Sequence, residues 1–180
     1  PAFHQPYRIG SAMRDKRVYL FDTTLRDGAQ TQGVDFNPAD KEVIAQELDS
    51  IGIDYIEGGW PGANPTDDAF FENPPALIRA RMCAFGMTRR AGRSACNDPG
   101  LQALLGAGTK AVCMVGKTWD FHVRVALDIT PEENIAMIAD SVRLAAERKK
   151  EVIFDAEHFF DGYADDPAYA LATLRAAARG

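Results

Sequence analysis

No stretch of this 180-residue sequence is apolar for long enough to cross a bilayer as a helix, which takes about 20 residues. The first residues also lack the apolar core of a secretion signal. Positive charge is in deficit: 20 Lys and Arg stand against 26 Asp and Glu, a formal net charge of -6. Nucleic acids and anionic membrane surfaces attract positive fields, so neither is expected as a partner. Cysteine is scarce and unpaired in pattern. Cys83, Cys96 and Cys113 are odd in number and form no Cys-x-x-Cys motif. Cys83 and Cys113 fall in apolar runs, so packed, reduced thiols are expected, and with them a reducing cytoplasm. Low-complexity tracts are missing too, and the length suits one domain.

What the chain does have is a repeated pattern of apolar runs: Val18–Phe21, Ile53–Ile56, Met82–Phe85, Ala111–Val115 and Val152–Phe154. Helical patterns lie between them. One opens at Asn37-Pro38, an N-cap followed by proline at the first helical position, carries Ile44, Leu48 and Ile51 on one face and stops at Gly52. A second opens with the capping-box pattern Thr130-Pro131-Glu132-Glu133 and carries Ile135, Ile138 and Val142. A third opens at Asp166-Pro167 with Leu171 and Leu174. Weaker patterns cover Asp67–Arg79 and Pro99–Leu105.

Strand–helix alternation with near-continuous apolar strands predicts a parallel sheet covered by helices. An open doubly wound nucleotide fold would place a Gly-rich turn after the first strand, and Gly28 stands there alone. Polar residues instead gather at every strand's C-terminal end: Asp22 to Asp27, Glu57, Thr88-Arg89-Arg90, Lys117 to His122, and Glu157-His158. That distribution suits an α/β (β/α)₈ TIM barrel, whose active site lies on the C-terminal face of the strands. Only about the first five βα units are present, whereas a barrel takes eight, about 250 residues. Residues 13–180 therefore read as the N-terminal part of a catalytic barrel cut from a longer protein. Residues 1–12 read as a disordered extension or cloning remnant.

The segment Phe21-Asp22-Thr23-Thr24-Leu25-Arg26-Asp27-Gly28-Ala29-Gln30 puts hydroxyls, a guanidinium and a carboxylate where the first strand ends. Asp27 is a hard oxygen ligand and Arg26 a planar set of donors, a combination able to bind a metal-chelated oxyanion. A surface salt bridge in a loop is the alternative for Arg-Asp-Gly alone. The longer string Leu25-Arg26-Asp27-Gly28-Ala29-Gln30, followed by Lys41, resembles the first signature of the isopropylmalate, homocitrate and citramalate synthases. These belong to the DRE-TIM metallolyase group, together with hydroxymethylglutaryl-CoA lyase. Tyr55-Ile56-Glu57-Gly58-Gly59-Trp60-Pro61-Gly62 and Phe154-Asp155-Ala156-Glu157-His158-Phe159-Phe160-Asp161-Gly162-Tyr163 are similar to the citramalate synthases within it. The resemblance runs from about Arg17 to Tyr169.

That resemblance implies an acyltransferase that condenses acetyl-CoA with a 2-oxo acid, pyruvate giving citramalate, in branched-chain amino-acid biosynthesis. It implies a divalent metal, Mg²⁺ or Mn²⁺ with Zn²⁺ as the alternative, and a homodimer at full length. Asp27 becomes a metal ligand, Arg26 the contact to the substrate oxyanion, and Glu57 the partner that holds the guanidinium plane. Glu157 takes the place of an acid/base carboxylate; a carboxylate bonded to a loop amide is its structural alternative. Thr24 and Gln30 become substrate-side partners, with Asp22 bracing the loop. His122 is open between substrate contact and loop packing. Trp60 is open between walling the pocket and packing. His158 should point away from the site if the strand pleat continues. One departure stands out: the family's His-x-His metal pair is missing, since the only histidines are His4, His122 and His158. Isopropylmalate synthase, homocitrate synthase and an aldol-cleaving acyl-CoA lyase are the neighbouring activities. A catalytically inactive half-barrel serving as an assembly partner is the reading from another class.

Overall fold

The computed structural model describes residues 17–148 and 150–180. The extension expected over residues 1–12 lies outside them. Five strands, β1 (Phe21–Asp22), β2 (Tyr55–Gly59), β3 (Arg81–Met87), β4 (Ala111–Lys117) and β5 (Glu151–Glu157), pair in parallel in the order of the sequence. A doubly wound sheet reverses its strand order at a switch point. Here there is no reversal, so every crossover winds the same way and the sheet is the arc of a barrel.

The two faces differ in composition. Residues at even steps (Ile56, Ala84, Val112 and Met114) pack outward with Phe70, Leu101 and Leu104 of the helices. Residues at odd steps point to the concave inner face, where Cys83, Phe85, Ala111, Cys113 and Val115 form a separate apolar cluster. At its lower edge Tyr55 donates to Glu151 at 2.6 Å and Arg81 pairs with the same carboxylate. At the upper edge the inner-facing residues are polar, and the site is there.

Helices α1 (Pro38–Ser50), α2 (Pro65–Glu72), α3 (Pro99–Gly106), α5 (Pro131–Glu147) and α7 (Pro167–Arg179) all carry proline in the first turn behind a side-chain N-cap. Short helices α4 (Asp120–His122) and α6 (Phe159–Asp165) sit above β4 and β5. Several expectations need correction. The reciprocal capping box belongs to Asn37 and Asp40 of α1, not to α5, because Glu133 turns away to pair with Arg89. Helix α2 ends at Glu72, short of Arg79, because Pro74-Pro75 cannot continue it. The buried stripe of α1 is Lys41, Ala45 and Asp49, while Ile51 is 73% exposed. Asp49 earns its burial by accepting from the backbone N–H groups of Ile78, Arg79 and Ala80 at 2.6–2.8 Å. Exclusion from water opposes its charge, yet those three donors hold its carboxyl below the usual range.

Strand β1 is shorter than the run Val18–Phe21. Val18, Tyr19 and Leu20 are largely exposed, and among the described residues β1 pairs with β2 alone. At the other side β5 pairs with β4 alone. Such edges carry a row of unsatisfied backbone groups. A chain of these 180 residues is therefore expected to self-associate at tens of micromolar, roughly the range in which unpaired edges aggregate. Analytical ultracentrifugation checks this, and a clean monomer at that concentration would contradict it.

Candidate active site

Strand β1 ends in a tight turn. The Thr23 carbonyl accepts from the N–H groups of Arg26, Asp27 and Gly28 at 2.9–3.1 Å. The Asp22 carboxylate accepts from the Thr24 N–H at 2.9 Å and from its hydroxyl at 3.2 Å, so Asp22 is the loop brace and Thr24's hydroxyl is already engaged. Leu25 is driven wholly into the outer core, which leaves Arg26 and Asp27 at the strand mouth.

Arg26 is gripped on several sides. Its Nε donates to Glu57 Oε2 at 2.6 Å, and its Nη1 to Asp27 Oδ1 at 3.2 Å. The guanidinium lies over the ring of Phe85, 3.9 Å from the centroid, and the edge of Trp60 meets that ring at 5.2 Å between centroids. The rest of the donor fork is free for an anion. Glu57 is 1% exposed. Burial pushes its carboxyl up, against the bond and charge of Arg26 and a hydrogen bond from the Cys113 thiol. Burial, followed by the charge of Glu57, pushes the Cys83 and Cys113 thiols up as well, so both stay protonated.

Glu157 ends β5 on the same inner face. Its carboxylate pairs with Lys117 of β4, while the Thr118 hydroxyl donates to its backbone carbonyl at 2.6 Å. An ammonium partner thus replaces the loop amide weighed as the alternative. Asp155 stands one inner-face step below. Burial and the negative charge of Glu157 push its carboxyl up; Arg26 and Lys117 oppose the rise, and Asp27 adds to it. Sequence reading missed Asp155, Lys117 and Phe85 as site residues. The alternation in Ile153-Phe154-Asp155-Ala156-Glu157 was the available signal, since period two puts Asp155 and Glu157 on one face.

His122 joins a different group. Its ring lies 4.9 Å from that of Trp119, 5.7 Å from Phe121 and 4.6 Å from His158. The pleat does not continue through His158: β5 stops at Glu157 and His158 takes a left-handed conformation with φ of 54°. That turn brings its Nδ1 to 3.1 Å from Asp161. Gln30 is exposed in a short 3₁₀ turn and lines a cavity of about 340 Å³ with Arg26, Trp60 and Asn64. Beyond Trp60 a second cavity of about 510 Å³ is walled by Met87, Leu127 and Met137, with Arg90 among its lining residues.

Asp27 is 63% exposed and offers a hard carboxylate, which suits one position around a divalent cation. Among the described residues no three His, Cys, Asp or Glu side chains converge on a metal-sized point. Asp27 thus fits as a single ligand of such an ion, and the described residues do not complete the shell. Among them, too, no helix is long and apolar enough to cross a membrane.

The arrangement has relatives. The chain is 50% identical over 167 residues to an (R)-citramalate synthase of Aquifex aeolicus, covering 92% of this chain and 32% of that protein. It is 32% identical over 163 residues to a 2-isopropylmalate synthase of Solidesulfovibrio magneticus, covering 91% and 31%. It therefore spans about a third of the length of the curated relatives it matches. The fold is shared with hydroxymethylglutaryl-CoA lyase from Pseudomonas aeruginosa, at a TM-score of 0.60 and 19% identity over 77% of this chain and 45% of that one. The HMGL-like family model matches residues 17–178, the whole of the strand arc and its site, and this chain belongs to that family.

Proposed function

We propose that this chain supplies part of the active site of an enzyme that joins acetyl-CoA to pyruvate and, once water has cleaved the thioester, releases citramalate and coenzyme A. The observation that carries the reading is the guanidinium of Arg26, fixed by Glu57 and Phe85 beside the exposed carboxylate of Asp27. Half-identity to proteins named (R)-citramalate synthase favours pyruvate over the larger 2-oxo acid of the isopropylmalate synthases. A reducing cytoplasm suits its buried free thiols.

The chemistry follows from the site. When the enolate of acetyl-CoA adds to the ketone of a 2-oxo acid, negative charge gathers on the former ketone oxygen. The free part of the Arg26 fork meets that charge in a geometry already set by Glu57, so little reorganisation is needed as the charge develops. A divalent cation, when bound at Asp27, supplies Lewis-acid polarisation of the same carbonyl. Glu157 has Lys117 on one oxygen, and its other oxygen takes the proton from the acetyl methyl group or from the water that later hydrolyses the thioester. The 510 Å³ cavity beyond Trp60, where Met87, Leu127 and Met137 are joined in the wall by Arg89, Arg90 and Asp98, has room for the arm of the thioester.

In the complete enzyme, Asp27→Asn is expected to weaken metal binding, because a neutral amide replaces an anionic ligand of the same size. Arg26→Lys should leave metal affinity nearly intact and lower kcat by about 10²–10³, as loss of one such oxyanion donor does. Glu57→Gln should act in the same direction but more weakly. Steady-state kinetics with a metal titration separates the three; wild-type metal affinity in Asp27→Asn and wild-type kcat in Arg26→Lys together would refute the assignment.

Gathering carboxylates also has a thermodynamic signature. Asp155 has its pKa raised in the folded protein, so the folded state holds its proton more tightly than the unfolded chain does. Its contribution is fully present below the unfolded value, about 3.9, and is lost as pH rises through the folded value. Metal-free Asp155→Asn should therefore melt above the wild type at pH 7. The gain should fade as the pH falls toward about 4, the ordinary range of an unfolded aspartate. Thermal denaturation at the two pH values measures it; a variant melting below wild type at pH 7 would contradict the expectation.

A further inference from the structure

The lysine that completes the first signature does not reach the inner face. Lys41 rises from α1 and is 2% exposed. It donates to the Gly58 carbonyl at 3.0 Å and pairs with Asp67 of α2. The other oxygen of Asp67 accepts from the Trp60 N–H at 2.8 Å and from Asn64 Nδ2 at 2.9 Å. The pair therefore grips both ends of Gly58-Gly59-Trp60, where the register of β2 against β3 slips between Glu57 and Gly59. Gly59 makes room for it: with φ of 152°, a Cβ there would stand 2.6 Å from the Asp67 carboxylate.

What flanks this gripped segment decides its meaning. On one side is Glu57, bonded to Arg26 Nε. On the other is Trp60, whose ring backs Phe85, the ring on which the guanidinium rests. Both supports of the Arg26 plane are thus set by backbone that the buried pair fastens. Two glycines have no side chains of their own to hold an irregular strand end. Stability alone is a poor reason for the pair, because apolar residues of similar size do as well in a buried position.

We propose that Lys41 and Asp67 are positioning residues for Arg26, acting through the bulged end of β2. The inference rests on the reading of Arg26 as the group that meets the oxyanion. Released from the pair, Gly58 and Gly59 relax toward the regular register, and Glu57 and Trp60 move with them. A displacement near 1 Å at such a site lowers a rate by about 10²-fold.

The test uses the complete enzyme with Lys41→Met, Asp67→Asn, Lys41→Arg and a control, Ile44→Ala, which loosens α1 on its core side without touching the pair. Lys41→Met and Asp67→Asn should lower kcat by about 10- to 100-fold, with metal affinity kept, since Asp27 is held by the β1 turn. Lys41→Arg should recover part of the loss, and Ile44→Ala should keep kcat. The double variant Arg26→Ala/Lys41→Met should be no slower than Arg26→Ala, because groups that act as a unit are not additive. Multiplied losses in the double variant, or a kcat fall matched by Ile44→Ala, would overturn the proposal. If Lys41→Met does not fold, Asp67→Asn carries the same outcomes at unchanged side-chain size.

A second readout needs no substrate. In a background where Trp119 and every tryptophan outside these 180 residues are replaced by phenylalanine, Trp60 is the sole tryptophan, and its emission should shift in Asp67→Asn and Lys41→Met but not in Ile44→Ala. Unshifted emission in both pair variants would overturn the positioning role. If the wild type makes no citramalate, the functional reading fails, and the emission measurement decides the positioning role alone.

Discussion

A guanidinium drawn out of water needs an anionic partner with matching geometry, and Arg26 finds it across the first strand pair in Glu57 at 2.6 Å. Much of the upper inner face follows from that bond. Glu57 is buried to its tip, where exclusion from water pushes its carboxyl up and the bond and charge of Arg26 oppose the rise, while Glu57 in turn fixes the guanidinium through Nε. Phe85 offers a face and not a charge, which leaves the outward donors uncommitted. The same economy explains the thiols. The Cys113 thiol beside Glu57 opposes the rise of that carboxyl without adding a second positive group that would compete with Arg26.

The strand–helix alternation was plain in the sequence because it depends on local chemistry. Proline behind an Asn, Asp or Thr cap starts five helices, and each such cap forms. The cluster of polar residues at strand ends was equally plain, because a parallel arc puts all those ends on one side. The pairing of Arg26 with Glu57 came from resemblance and stands in the geometry. Less legible was anything set by tertiary choice. Lys41 read as part of a catalytic signature, yet its ammonium is consumed between α1, α2 and β2. Glu133 read as half of a capping box, yet Arg89 outbids the backbone for it. Asp155 was passed over although its two-residue spacing from Glu157 puts both carboxylates on one face of β5. His158 meets His122 and Asp161 in the loops because its own left-handed conformation ends the pleat at Glu157.

Placing carboxylates together on a concave floor runs against stability, and Asp27, Glu57, Asp155 and Glu157 do so with Arg26 and Lys117 as the counter-charges named among the described residues. Sites that bind an incoming anion through a cation commonly tolerate such excess. The excess also separates the two halves of the inner face. Below, Arg81 and Glu151 neutralise each other, with the Tyr55 hydroxyl donating to the carboxylate; above, the negative charge is left partly unanswered.

Gly162 carries a mechanical consequence. A Cβ at that position would lie 2.5 Å from the Thr118 carbonyl and 2.9 Å from the Trp119 Cα, so α6 rests directly on the chain leaving β4. Trp119 is tied further to Asp165 at the end of α6 by a 3.0 Å bond. The loops above β4 and β5 are therefore in direct contact, and α6 has no clearance to move toward the chain leaving β4 without pushing it. Any side chain larger than hydrogen at position 162 would force these two loops apart, and with them His122 and His158, whose rings meet edge to face at 4.6 Å.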